Sequence, residues 1–137
     1  MDYVDLHTHS NASDGTCSPA EVVIRAADKG LRAIALTDHD TVSGIDEAIQ
    51  AARDHVLPLQ VIPGTELSVA YKKQDIHIVG LFIDHHNKAF QDMTDLLIRR
   101  RLERNKEMIR RFNANGIPVT YEDLTKGNHE DVITRAQ

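Results

Sequence analysis

Short, continuous apolar runs alternate in the first half of the chain with longer segments whose apolar residues recur every three or four positions. Tyr3 to Leu6 is the first short run. Ala33-Ile34-Ala35-Leu36-Thr37 is the second, apolar without alternation, as in a strand covered on both faces. Leu59 to Ile62 forms a third strand, broken at Pro63-Gly64. Glu66 to Tyr71 and Asp75 to Ile83 read as further strands around a Lys72-Lys73-Gln74 turn. Between the first two runs, Ser18-Pro19-Ala20-Glu21 supplies an N-cap, a proline at the first helical position and a glutamate placed to complete a capping box. Val22, Val23, Ala26 and Ala27 continue that helix to a stop at Gly30. A second helix spans about Ser43 to His55, with Ile45, Ala48, Ile49 and Ala52 inward. The β-α-β-α-β order places the chain in the α/β class, with parallel strands joined by right-handed helical crossovers. In such folds chemistry collects at the carboxyl ends of the strands.

The pattern changes near residue 88. Lys88 to Asn115 predicts one long helix with Phe90, Met93, Leu97, Leu102, Met108, Ile109 and Phe112 as buried positions, stopped by Asn115-Gly116-Ile117-Pro118. This divides the chain into residues 1–87 and a helical segment over 88–137. Tyr121 to Leu124 opens another short helix, and Val132 to Gln137 carries no stop signal, so the chain reads as cut inside a larger architecture. No internal repeat or low-complexity stretch is present.

Charge sharpens this division. Residues 99–111 hold seven basic and two acidic residues, a net +5 in a chain of net −5, which leaves −10 elsewhere. Such a helix is ordinarily a solvated face with i,i+4 pairs such as Glu107 and Arg111. The same concentration of positive charge also suits a phosphate-bearing substrate, with Arg104 or a neighbour, and Arg135, as contacts. The overall balance gives no general attraction to duplex DNA or to membranes. No apolar run approaches the roughly 20 residues of a membrane span, and the N-terminus is a strand carrying histidine, unlike a signal peptide. The 137 residues suffice for one domain with a core. The single Cys17 excludes an internal disulfide, fits a reducing cytoplasm and is expected as a small buried apolar residue.

Candidate chemistry lies where the strands end. On an extended strand residues two apart face the same way, so His7 and His9 aim two imidazoles at one point. Alone, such a pair is better read as two histidines at a polar barrel mouth. Asp14 in Ser13-Asp14-Gly15, His39 in Asp38-His39-Asp40, Glu66 after Pro63-Gly64 and His77 between Ile76 and Ile78 complete a set of imidazoles and carboxylates. That donor set suits zinc, iron or manganese and not calcium. Asp5, Asp38 and Asp40 lie close enough in sequence to orient the imidazoles from behind. His55, His85, His86 and His129 fall in polar stretches and are expected in solvent.

His7-Thr8-His9-Ser10 with Ser13-Asp14-Gly15-Thr16, Leu36-Thr37-Asp38-His39-Asp40-Thr41 and Pro63-Gly64-Thr65-Glu66 closely resemble the PHP (polymerase and histidinol phosphatase) superfamily. Ile76 to Phe82, Arg104-Asn105 and Ile133-Thr134-Arg135 resemble its smaller bacterial TrpH-like branch. The resemblance implies part of a distorted (β/α)7 barrel with a cluster of up to three divalent metals, manganese first, zinc or iron otherwise. It implies that His7, His9 and Glu66 hold one metal, that Glu66 bridges to a second bound by His77, and that Asp14 and His39 hold a third. The family completes these shells with a later histidine and an Asp-x-His motif, which this chain lacks, and Gln137 stands where many relatives have histidine. The implied activity is hydrolysis of 3′,5′-nucleotide bisphosphates or short 5′-phosphorylated RNA by water activated between metals about 3.5–4 Å apart. No protein nucleophile is required, in keeping with the lack of a convincing Cys or Ser. A histidinol-phosphate-type phosphomonoesterase and a non-catalytic PHP scaffold are the alternatives, and the oligomeric state is open.

Overall fold

Every residue of Leu31-Arg32-Ala33-Ile34-Ala35-Leu36 is well placed in a strand, and the last four are buried. This strand is the spine of the molecule. In the computed structural model, which describes residues 3–72 and 74–125, the elements in chain order are β1 (Tyr3–Thr8), α1 (Pro19–Asp28), β2 (Leu31–Leu36), α2 (Ile45–Asp54), β3 (Gln60–Tyr71), β4 (Gln74–Leu81), α3 (Lys88–Ala114) and α4 (Tyr121–Thr125). One sheet runs β1-β2-β3-β4. β1, β2 and β3 are parallel, as the alternation of strand and helix predicts, and β4 returns antiparallel to β3.

The period of two along β2 assigns its side chains to two cores. Ile34 and Leu36 pack with Val23, Ala26 and Ala48 of α1 and α2, while Ala33 and Ala35 face the other way with Ile62 and Leu81. Burying an aliphatic side chain of this size stabilises the fold by about 1.5–3 kcal/mol. Small residues on the second face leave room inside the curve of the sheet.

Local signals explain the helices. Ser18 accepts from the Glu21 amide at 3.2 Å, and the Glu21 carboxylate accepts from the Ser18 amide at 2.8 Å, so the capping box is complete. α3 ends in a Schellman arrangement, with Ile117 N donating to Phe112 O at 3.0 Å, Gly116 N donating to Asn113 O at 3.1 Å and Gly116 at φ +77°.

Two expectations are corrected. Pro63-Gly64 does not break the third strand: β3 runs through it and changes partner there. Gln60–Pro63 pairs with β2, and Gly64–Tyr71 pairs with β4. Proline has no N–H to contribute where the ladder changes sides, and its carbonyl accepts from Ile83 N at 3.2 Å. A Cβ at Gly64 would lie 2.8 Å from Thr37 Cγ2 and 2.9 Å from Gly80 O, so only glycine lets the strands close at that point. The other correction concerns α3. Of its expected apolar stripe, Phe90, Leu97, Leu102, Met108 and Ile109 are half-buried, Met93 and Phe112 stay exposed, and the residues it buries fully are Thr94 and Asn105. Toward its C-terminal end the helix is open to solvent, with Arg110 to Ala114 exposed. The outer strands are likewise open, with Tyr3 62% and Ile78 52% exposed.

Candidate metal centre

The segment after β1 folds back on itself. Ser13 N and Gly15 N both donate to Ser10 O, at 3.1 and 2.8 Å. A Cβ at Gly15 would sit 2.5 Å from His9 O, so the glycine of Ser13-Asp14-Gly15 is needed for the turn that returns Asp14 to His9. Buried Asp38 holds this loop: its carboxylate accepts from Ser10 N and Ser10 Oγ, each at 2.7 Å, and from Ser13 Oγ at 2.5 Å. Thr8 faces away from His7 and His9 and ties β1 to β2 by donating to Ala35 O at 2.7 Å.

The end of β2 is bound to β3 in the same way. Glu66 N donates to Asp38 O at 3.1 Å and Asp40 N to Glu66 O at 2.9 Å, which sets His39 beside Glu66. Asp40 adopts φ +54°, a left-handed conformation that aspartate tolerates better than most residues. On β4, His77 pairs with Ser68 and so shares a face with Glu66 as its diagonal neighbour.

These constraints converge on one carboxylate. Glu66 Oε2 lies 2.7 Å from His7 Nε2, 3.1 Å from His9 Nε2 and 3.7 Å from His39 Nε2, and Glu66 Oε1 lies 2.6 Å from His77 Nδ1. Asp14 joins from the loop, 3.2 Å from His9 Nδ1 and 3.4 Å from His39 Nε2. All six residues singled out in the sequence are therefore together. They form three groups, His7-His9-Glu66, His9-Asp14-His39 and His39-Glu66-His77, in each of which the donor atoms lie within 4.8 Å of one another. The groups share members, as adjacent ion sites do.

The electrostatics match that use. Burial opposes the charge on Glu66, but hydrogen bonding with His7 and His77 and the proximity of His39 outweigh it and hold the carboxyl below its ordinary range. Burial lowers the His39 pKa despite Asp14 and Glu66, favouring the neutral ring that a metal requires. Its Nδ1 is buried without a hydrogen-bond partner among the described residues, which leaves the polar contacts of the ring to Nε2, beside Asp14 and Glu66.

Several other expectations change. Asp5, Asp38 and Asp40 do not back the imidazoles. Asp5 accepts from the His7 backbone at 3.2 Å, Asp38 holds the loop, and Asp40 is ion-paired with Arg101 while accepting from Ser68 N at 2.8 Å. The Asp40–Arg101 pair spans 61 residues and has no local signature in sequence. Arg104 is exposed and donates to Asn105 Oδ1 at 3.1 Å. Instead Arg101 lines a cleft of about 580 Å³ with His39, Asn11, Ser43, Glu47 and Gln91. Arg135 and His129 lie outside the described residues. Cys17 is half-buried, and His85 is not in solvent, its ring being 12% exposed against Asp46.

A family model described as the PHP domain matches residues 5–134. The chain belongs to the PHP domain family. This PHP domain is 42% identical over 135 residues to a 5'-3' exoribonuclease of Haemophilus influenzae, covering 96% of the chain and 47% of that protein. It is 40% identical over 136 residues to a 3',5'-nucleoside bisphosphate phosphatase of Chromobacterium violaceum, covering 98% of the chain and 47% of the relative. The chain thus spans about half the length of the curated relatives it matches. Among solved structures, an amidohydrolase from Chromobacterium violaceum with bound sulfate superposes with a TM-score of 0.84 at 36% identity, over 96% of this chain and 46% of that one. The PHP domain is accordingly a mixed α/β structure whose sheet curls into a half-barrel. Among the described residues no helix is long and apolar enough to cross a membrane.

Proposed function

We propose that this PHP domain carries the metal-holding half of a phosphoesterase that hydrolyses small nucleotide phosphates, either 3′,5′-nucleotide bisphosphates or short 5′-phosphorylated RNA. The observation that carries the reading is Glu66, whose carboxylate is met by His7, His9, His39 and His77 within 3.7 Å. The donor set of imidazoles and carboxylates without thiolate fits manganese, with iron or zinc as the other metals of suitable preference. His7, His9, Asp14, His39, Glu66 and His77 are the proposed ligands. Divalent ions held there would polarise phosphoryl oxygens and make water a nucleophile near neutral pH. The protein need not attack phosphorus itself. The hydroxyls beside these histidines are engaged elsewhere: Ser10 and Ser13 are buried and donate to Asp38, and Thr8 donates to Ala35 O.

The cleft beside His39 supplies the route by which a substrate reaches the cluster. Arg104, which is exposed, and Arg135 are the proposed contacts for its phosphates, with residues 1–87 as part of the barrel and 88–137 as the start of a helical insertion. The names of the exoribonuclease and bisphosphate phosphatase relatives support both the reaction class and the substrate class.

The test is phosphate release from a 3′,5′-nucleotide bisphosphate by the intact protein carrying this chain, with and without manganese, beside Glu66→Gln. Metal-dependent release that falls by about two orders of magnitude or more in the variant is expected, given that metal activation contributes several kcal/mol. Release that is indifferent to metal and to Glu66 would overturn the proposal. Parallel reactions with histidinol phosphate decide between nucleotides and other small phosphomonoesters.

A further inference from the structure

A second convergence of histidine and carboxylate lies outside the cluster just described. Asp46 stands in the first turn of α2, and His85 and His86 lie in the link between β4 and α3. His85 Nε2 is 3.0 Å and His86 Nε2 3.5 Å from the same oxygen, Asp46 Oδ1. The two rings stand side by side, their centroids 4.1 Å apart and their planes inclined by 37°. Neighbouring residues on an extended strand point to opposite faces, so the link must be bent to bring both rings to one carboxylate.

The bend is built into the link. Phe82 takes φ +57° and ends β4. Asn87 N donates to Asp84 O at 3.0 Å, and His86 N to Asp84 Oδ1 at 3.3 Å. Asn87 then caps α3 by accepting from Phe90 N at 3.2 Å, and Gln91 Nε2 donates to His85 O at 2.9 Å. The backbone around both histidines is therefore fixed by bonds that do not involve their rings, and the imidazoles are presented rather than merely hanging in solvent.

We propose that Asp46, His85 and His86 form an outer site for a divalent transition-metal ion, separate from the Glu66 cluster and independent of the phosphoesterase reading. Bonds of about 2.0–2.1 Å at tetrahedral angles place ligand atoms roughly 3.3 Å apart. The donors stand near that spacing, within 4.8 Å of one another. Two imidazoles and one carboxylate favour zinc, copper, nickel or iron over calcium or magnesium. His86 and Asp46 are 67% and 70% exposed, so water completes the shell and the ion exchanges with solution. An ion there ties the first turn of α2 to the segment leading into α3. These two elements carry Gly44 and Glu47 on one side, and Gln91, Thr94 and Arg101 on the other, of the cleft beside His39. The outer ion thus braces the cleft without touching the cluster.

Equilibrium dialysis of the full chain against zinc alone tests the site, using wild type, His86→Ala, Glu66→Gln and the double variant. In the Glu66→Gln background, which leaves the His9-Asp14-His39 group intact, adding His86→Ala should remove about one further zinc equivalent. His86→Ala should also bind less zinc than wild type. Equal uptake with and without His86 overturns the outer site. A failure of the inner cluster looks different: uptake would then ignore Glu66→Gln while still responding to His86→Ala. Because His86 is largely exposed its removal should leave the fold intact, and Asp46→Asn, which keeps the shape of the side chain, repeats the test from the other side of the site.

Discussion

The two halves of α3 handle charge in opposite ways. In the inner half, Arg101 turns toward the sheet and pairs with Asp40, their side chains 9% and 5% exposed. In the outer half, Arg110 and Arg111 share Glu107, at 2.7 and 2.8 Å, where both arginines are about 70% exposed. Both arrangements are acid–arginine pairs from one basic segment. Their energetics differ because water screens the outer group and is excluded from the inner one. The inner pair also connects to the site. Asp40 donates its N–H to Glu66 O, so Arg101 anchors the residue that adjoins the central carboxylate.

The sharpest way to break the comparison is to remove one inner partner. Asp40→Ala or Arg101→Ala leaves a buried charge uncompensated and should destabilise the chain by about 3–5 kcal/mol, read from urea denaturation. The double variant should cost clearly less than the sum of the two, since each partner then lacks nothing to compensate. Additive losses would show that the pair is not a unit. A smaller effect is expected one step further in. Ser13→Ala removes one of three donors to the buried Asp38 carboxylate and should cost about 1–3 kcal/mol. It should also loosen the return of Asp14 to His9, seen as weaker manganese binding. Unchanged stability would mean that Ser10 alone holds the loop.

This contrast also marks what could be read from the chain. The three parallel strands, both crossover helices and the six clustered residues were legible because each depends on local pattern: apolar runs, a capping box, His-x-His, Ser-Asp-Gly. The path of β3 was not legible, because proline and glycine ordinarily end a strand, and here they mark a change of partner that only the third dimension reveals. Asp40–Arg101 was hidden for a similar reason. A seven-cation segment looks uniformly solvated until one turn of it meets a carboxylate 61 residues away. The apolar stripe of α3 misled in the other direction: its period is helical, but among the described residues little packs on its outer part. The expectation of solvent holds for His86, 67% exposed, and fails for His85, because nothing local links it to Asp46, 39 residues earlier.

Acid tests more gently the site that the inner pair adjoins. With its pKa lowered, His39 stays neutral in the fold while the unfolded chain takes up a proton below about pH 6.5. Stability from His39 is therefore complete above that pH and declines as pH falls. The lowered Glu66 carboxyl acts with the same sign: its contribution is present above the ordinary carboxylate range and is lost as pH drops through its folded value. The metal-free chain should thus lose stability progressively below about pH 6.5, and His39→Gln should flatten the upper part of that curve. A wild-type curve that stays level down to pH 4 would contradict the assignment of these shifts to the site.

Glu107 is the weakest lever and completes the contrast. Its two arginine hydrogen bonds hold the carboxyl at about 2, so the outer group stays ionised as pH falls through the ordinary histidine and carboxylate ranges. Whatever it contributes is present above the ordinary glutamate value and disappears only as pH approaches the lowered one. Solvent around the Glu107 carboxylate and both arginines, together with mobile ions, makes that contribution small. Glu107→Gln should leave the urea midpoint at neutral pH, and its salt dependence, indistinguishable from wild type. A loss comparable to that of Asp40→Ala would require the outer half of α3 to be covered, and would turn attention to whatever packs on Phe112, which is 40% exposed.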